Sequence, residues 1–250
     1  MMIEPLTIDT YASNTALYQD ASLVETVDYA RRYQRHGVFD DGLPVHLPFA
    51  RTTIIAPHGG GIEFGTSELC LAIAGYHPAT LAVTVNTGIT YDYWMFEGLR
   101  SRNNRELHVT SAHCDDGVAV SLCAGSLNVL ALHGCTPAQA GLPDDAEVAL
   151  VGGRNPTLKQ HLLDEFAAAG LDAIDAAGIE QLDGDDPANI ANRTLLAMGG
   201  QLELTGPLRK AMFGVNSRRR RRDTTTDVFW AFVAASRRAL ARLESRQVIL

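Results

Sequence analysis

Cysteine is scarce and nowhere closely paired in this chain: Cys70, Cys114, Cys123 and Cys135 form no C-x-x-C motif. That excludes a cysteine-based zinc knuckle and a thioredoxin-type motif. So few thiols in 250 residues predict free cysteines in a reducing compartment. No apolar run approaches the roughly 20 residues that a membrane-spanning helix needs. The first 18 residues are polar, include Glu4 and Asp9, and lack the basic start and apolar core of a secretory signal. The expected setting is therefore soluble and cytoplasmic. Positive charge is in deficit too, with 21 Lys and Arg against 29 Asp and Glu and a formal net charge of −8. That balance argues against a dedicated nucleic-acid binder, although an acidic protein can carry a local basic patch. Two catalytic signatures are also missing: there is no G-x-S-x-G nucleophile, and the histidines do not follow H-E-x-x-H.

What is present is an ordinary globular balance, 46% hydrophobic and 20% charged, long enough for one large domain or two small ones. The chain is organised around Thr52 to Glu68. There a β-branched run ends in Pro57-His58, Gly59 to Gly61 follow, and Glu63 precedes a Gly65-Thr66-Ser67-Glu68 segment able to open a helix. Strands are expected at Thr52–Ala56, Leu81–Val85, Tyr91–Phe96, Leu107–Ser111, Leu127–Leu132, Glu147–Val151, Leu171–Ala177 and Gly199–Thr205. Helices are expected at Thr66–Gly75 (capped by Thr66 or Ser67 and ended by Gly75), Pro156–Ala169, Pro207–Phe213 and Asp223–Leu243 (capped by Asp223 or Thr224). Val24–Tyr33 and Asp115–Cys123 fit either helix or strand, Asp40–Pro44 reads as a turn, and Asp183–Arg193 as a long polar loop. No repeat or linker is visible. Short strands alternating with helices predict a single α/β domain over residues 1–250, with a mixed, largely parallel β-sheet flanked by helices.

Ligands of such sheets bind beyond the carboxyl ends of strands. His58 and Glu63 stand just past one such end, and the glycines let both side chains converge on one ion. Imidazole and carboxylate donors suit zinc, with a coordination position left open for water in a hydrolytic site. The alternative reading of His-Gly-Gly-Gly is an esterase-type oxyanion loop, weakened by the missing nucleophile. His133 repeats the strand-His-Gly arrangement and is the best third ligand, the other reading being a packed strand-end histidine. His113 competes but is placed near the site rather than on the ion, and His108 reads as a satisfied structural histidine. His36, His46, His77 and His161 have no supporting context. Glu203, alternating with Leu202 and Leu204 and sharing a face with Gln201, is the candidate general base; without a metal nearby it would read as a solvent-facing strand residue. Arg154, Arg193 and Arg209, beside turns, could clamp a carboxylate or serve structural ion pairs.

These segments together resemble the phage and bacterial poly-γ-glutamate hydrolases, whose fold is similar to zinc carboxypeptidases. The resemblance is carried by Ala56-Pro57-His58-Gly59-Gly60-Gly61-Ile62-Glu63 with Gly65-Thr66-Ser67-Glu68, Phe96-Glu97-Gly98-Leu99, Leu107-His108-Val109-Thr110-Ser111, Leu132-His133-Gly134-Cys135, Val151-Gly152-Gly153, Asn189-Ile190-Ala191-Asn192-Arg193, and Gly200-Gln201-Leu202-Glu203-Leu204 with Leu208-Arg209. It runs from about residue 29 to 213, with His77–Thr90 as an inserted-looking stretch; the basic loop and helix of 214–250 fall outside it. It implies one zinc ion per chain held by His58, Glu63 and His133, Glu203 in the place of the carboxypeptidase catalytic glutamate, and cleavage of γ-glutamyl amide bonds in an anionic polymer. Three rivals remain. One is a carboxypeptidase or deacylase acting on another small acidic amide. Another is a replication-associated nucleic-acid binder using Arg218–Arg222, a run that otherwise reads as a solvated loop. The last is a metal-binding protein without catalysis.

Overall fold

Residues 9–36, 52–84 and 89–247 are described in this computed structural model of the protein. The expected turn at Asp40–Pro44, His46 and Val85 lie outside the described residues.

Alternation along the strands builds the sheet. β1 (Tyr29–Gln34), β2 (Thr52–Gly60), β3 (Asp92–Gly98), β4 (Asn128–Cys135), β5 (Ala149–Gly152), β6 (Ala173–Asp175) and β7 (Gly200–Thr205) join in the order β1-β3-β2-β4-β7-β5-β6. β3, β2, β4 and β7 run parallel, β1 and β5 pair antiparallel to β3 and β7, and β6 runs parallel to β5. β2 is buried along its whole length, as a central strand covered on both faces must be. Ile54 and Ala56 enter one apolar cluster and Ile55 the other. β4 repeats the two-residue period, with Leu130 and Leu132 on one side and Val129 and Ala131 on the other.

Helices cover both faces. α1 (Asn14–Tyr18) and α3 (Gly117–Ala124) pack on the side of Ile55 and Val129, through Leu17, Ala119 and Leu122. α2 (Thr66–Ala74), α4 (Pro156–Ala168) and α6 (Asp227–Glu244) pack on the side of Ile54 and Leu130, where α5 (Gly206–Ala211) contributes Leu208. α6 buries Phe229, Phe232, Val233, Leu240 and Leu243, the stripe of an amphipathic helix, and Phe232 stacks on Phe166 of α4 at 4.6 Å between ring centroids. The sheet is mixed and largely parallel between helical layers, as expected from the sequence.

Several local expectations change. Leu107–Ser111 is no strand: two 3-10 turns, Asn104–Leu107 and Ser111–His113, flank a short extended link that anchors Leu107 and Val109 in the core. Of Leu81–Val85, the described residues form one isolated bridge, Val83 to Tyr76, and Leu81 takes φ 59. α2 has no side-chain cap; Thr66 Oγ1 instead donates to the Glu63 carbonyl, and Ser67 Oγ accepts from the Gly60 N–H at 2.9 Å. α6 is capped by Thr226, because Arg221–Asp223 closes a turn of its own. Val24–Tyr33 resolves in part into strand β1, and Asp115–Cys123 into helix α3, which Asp116 caps. Among the described residues no helix is long and apolar enough to cross a membrane. All four cysteines are free and buried.

The chain leaves β2 through α2 for β3 on one flank and later enters β4 on the other. Such a reversal of strand order opens a crevice at the carboxyl ends of the two strands. His58 and His133 stand there.

Candidate metal centre

The glycine loop sets the site's first two groups. The β2–β3 register shifts between Ala56 and Gly59, an irregularity of the kind that re-aims a side chain. Gly60 takes φ 67, in the left-handed region that favours glycine, and the Glu63 N–H closes the turn on the His58 carbonyl at 2.8 Å. His58 Nε2 lies 2.8 Å from the Val109 carbonyl. A carbonyl can only accept, so Nε2 carries a proton and Nδ1 is the atom turned to Glu63 Oε1 at 3.1 Å. Glu63 Oε2 accepts from the Gly134 N–H at 2.8 Å. The missing side chain of Gly134 also matters, since an added Cβ would collide with the Arg209 guanidinium.

His133 closes the group. Its Nδ1 lies 3.0 Å from His58 Nδ1 and 3.6 Å from Glu63 Oε2, and its Nε2 lies 3.2 Å from Ser111 Oγ. All three residues are buried. Burial disfavours a charged His58, yet the adjacent Glu63 carboxylate outweighs it and raises the imidazole's pKa. Burial likewise opposes ionisation of Glu63, but the imidazoles hold its carboxyl well below the usual range. Burial, joined by His58, lowers the pKa of His133 and keeps it neutral, the form that ligates metal. The group thus concentrates imidazole nitrogens and a carboxylate in one buried place, donors of the kind a cation takes. A tetrahedral zinc with bonds of about 2.0–2.1 Å has ligand atoms about 3.3 Å apart. The observed separations of 3.0 to 3.6 Å lie close to that spacing, with His58 meeting one oxygen of Glu63 and His133 the other.

His108 is the satisfied histidine expected from the sequence, and it also lies beside the site. Asp9 Oδ1, 2.7 Å from its Nδ1, fixes the proton there and turns Nε2 toward Glu63 Oε1 at 3.9 Å. Its ring lies 3.8 Å from that of His58, and His58, Glu63 and His108 also form a set of donor atoms within 4.8 Å of one another. The individual contacts to His133 are shorter, but they engage both oxygens of Glu63. Burial, then His58, pushes the His108 pKa down to about 4, so it is neutral at physiological pH. Its partner lies 99 residues away, beyond any local pattern.

Glu203 is the register partner of His133 on the adjoining strand, while Leu202 and Leu204 point into the opposite cluster. Gln201 shares its face, donating from Nε2 to Glu203 Oε1 at 3.1 Å, and Asn189 Nδ2 in turn donates to Gln201 Oε1 at 2.8 Å. Burial and then the charge of Glu63 push the Glu203 carboxyl well up, opposed by Arg209. Arg209 donates to the carbonyls of Leu204, Phe64 and Cys135 and stacks on Phe64 at 4.4 Å.

Of the other candidates, Arg193 donates to the Cys114 carbonyl at 2.9 Å, and exposed Arg154 to the Asp185 carbonyl at 3.4 Å. His113 is exposed, and Ser111 of the same turn is the residue that touches His133. His36 bridges Asp92 and Tyr76, His77 lies against Trp230, and His161 is buried against α6.

Comparison with known proteins bears on this arrangement. The sequence is 30% identical over 179 residues to the UPF0714 protein YndL, and 32% identical over 184 residues to the SPbeta prophage-derived UPF0714 protein YoqZ, both of Bacillus subtilis (strain 168). These matches cover 72% and 74% of this chain but only 63% and 60% of those proteins. Among solved structures, a bacteriophage poly-gamma-glutamate hydrolase superposes with TM-score 0.78 at 26% identity, covering 96% of this chain and all of the other. A zinc-free structure of YndL superposes with TM-score 0.75 at 26% identity, covering 94% and 99% of the two chains. The sequence model of the poly-gamma-glutamate hydrolases matches residues 46–235. The chain belongs to the poly-gamma-glutamate hydrolase family.

Proposed function

We propose that this chain hydrolyses γ-glutamyl amide bonds, with poly-γ-glutamate as its substrate, using one zinc ion held by His58, Glu63 and His133. The observation that carries this reading is the convergence of those three donors within 3.0 to 3.6 Å beside a buried carboxyl, Glu203. The family membership and a relative described in a zinc-free form support the same chemistry. A bound zinc ion would supply Lewis-acid polarisation of the amide carbonyl and a water acidic enough to ionise near neutral pH.

The protein's own groups divide the remaining work. Val109 and Ser111 fix the two imidazole rings, and the Gly134 N–H fixes Glu63. Glu203, aimed by Gln201, takes the proton of the attacking water and returns it to the departing amine. Arg209 sets a fixed positive charge beside both carboxyls, which opposes the upward push on Glu203. Arg193 and Arg154 have donors left to meet substrate carboxylates, and Arg209 adds to the same positive field. His108, neutral and held by Asp9, faces the site and can offer Nε2 to a substrate N–H.

The test is linkage specificity. The purified protein supplied with zinc should shorten poly-γ-glutamate and leave poly-α-glutamate intact. Cleavage of α-linked peptides at an equal or higher rate would replace this reading with a carboxypeptidase-like one. Activity on small acyl-amino acids alone would favour a deacylase.

A further inference from the structure

Arg218–Arg222 takes no part in the chemistry proposed above, yet it is not the solvated loop that its sequence suggests. Arg221 is only 3% exposed; its Nε donates to Glu68 Oε1 at 3.1 Å and its Nη2 to the Gly60 carbonyl at 2.9 Å. That buried ion pair pins the run against the glycine loop. Arg218 donates through Nη1 alone, to the carbonyls of Gly98 and Arg100 at 3.3 and 3.2 Å. Exposed Arg219 has no carboxylate partner among the described residues. With Arg100 and Arg221 they wall a cavity of about 410 Å³ that also borders Gly61 and Phe64.

Charge is unevenly answered there. Arg100 is paired with Asp28 and Glu106, and Arg221 with Glu68, whereas Arg218 and Arg219 meet no carboxylate among the described residues. On a molecule with net charge −8 this is a local positive basin. Phe64 follows Glu63 directly in the chain, so the basin begins one residue from the proposed metal centre.

We infer that this cavity is an anion subsite, and that it takes side-chain carboxylates of the polymeric substrate some residues away from the cleaved bond. The inference rests on the function proposed above. A flexible polycarboxylate can cross the metal centre and place a carboxylate on the open Nε and Nη2 of Arg218 and on Arg219, as paired guanidinium–carboxylate hydrogen bonds require. A nucleic-acid duplex needs a broad basic face, and here two of the four arginines are already neutralised within an acidic molecule.

The experiment compares the zinc-loaded wild-type protein with the double variant Arg218→Gln/Arg219→Gln. Substrates are long poly-γ-glutamate and a γ-glutamyl dimer too short to span both sites, each at low and high salt. The double variant should raise KM for the polymer by about tenfold at low salt, with kcat changed by less than about twofold and no matching rise for the dimer. Arg218→Lys/Arg219→Lys should restore part of the lost affinity. If the wild-type protein cleaves the polymer and the Gln variant keeps its KM, the subsite is wrong while the proposed function stands. If the wild-type protein cleaves no γ-glutamyl polymer, both fall. If the substitutions abolish retention of a DNA oligonucleotide and leave polymer KM unchanged, the cavity belongs to nucleic acid and the inference is overturned.

Discussion

The Val109 carbonyl determines which nitrogen His58 would offer to an ion, and Asp9 does the same for His108. Residues outside the donor set thereby fix its tautomers. Glu203 stands apart from the donors as the proposed proton carrier, and replacing it should separate binding from chemistry. Glu203→Gln should retain zinc while kcat falls by about 10²–10⁴-fold, measured on poly-γ-glutamate with metal content checked alongside. The Asp9 carboxyl gives a second residue-level outcome. Burial opposes its ionisation, but hydrogen bonds from His108 and the Thr110 N–H outweigh this and lower its pKa from 3.8 to about 2. A depressed carboxyl stabilises the fold above its unfolded pKa, and that contribution disappears as pH falls through about 2. Asp9→Asn should therefore cost about 1 kcal/mol at neutral pH, allowing for its partial exposure, with the gap from wild type narrowing in denaturant titrations taken toward pH 2.

At the scale of elements, the strands that carry the proposed site are the most legible. Leu202 and Leu204 against Gln201 and Glu203 is a period-two pattern, and the two polar side chains do share a face. The strand-His-Gly repeat likewise located both histidines at neighbouring strand ends. Leu107–Ser111 misleads for the same reason: Leu107 and Val109 alternate with polar residues, but no strand among the described residues pairs with them, and the backbone closes into 3-10 turns. Local pattern reports which side chains are buried; it does not report whether a neighbouring strand is there to bond. Arg221 departs from the expected solvated loop because its partner, Glu68, lies 153 residues away in sequence, and the partner that satisfies His108, Asp9, lies 99 residues away. Away from the site, α6 docks on α4 mainly through the Phe232–Phe166 stack and ion pairs of Arg238 and Arg242 with Glu165. Phe232→Ala should cost about 3–5 kcal/mol in chemical denaturation, through lost burial and the cavity left behind. Activity per folded molecule should persist, because Phe232 packs on the opposite face from Val129 and Ala131 of β4.

For the molecule as a whole, the few scattered cysteines predict free thiols, and all four are free, while short strands alternating with helices predict the α/β class with its mixed sheet. Composition could not show that a chain of net charge −8 gathers arginines beside the glycine loop, because that depends on how distant segments fold together. The proposed metal centre draws on β2, β4 and the loop between β2 and α2, so an ion bound there would brace the middle of the sheet. Removing zinc with a chelator should lower Tm by about 5–10 °C, reversibly on adding the metal back. The most direct test of the centre is metal analysis of the purified protein and two variants. Wild type should carry about one zinc per chain, and His58→Ala and His133→Ala should both lose it while remaining folded. Stoichiometric zinc retained in both variants would contradict the site.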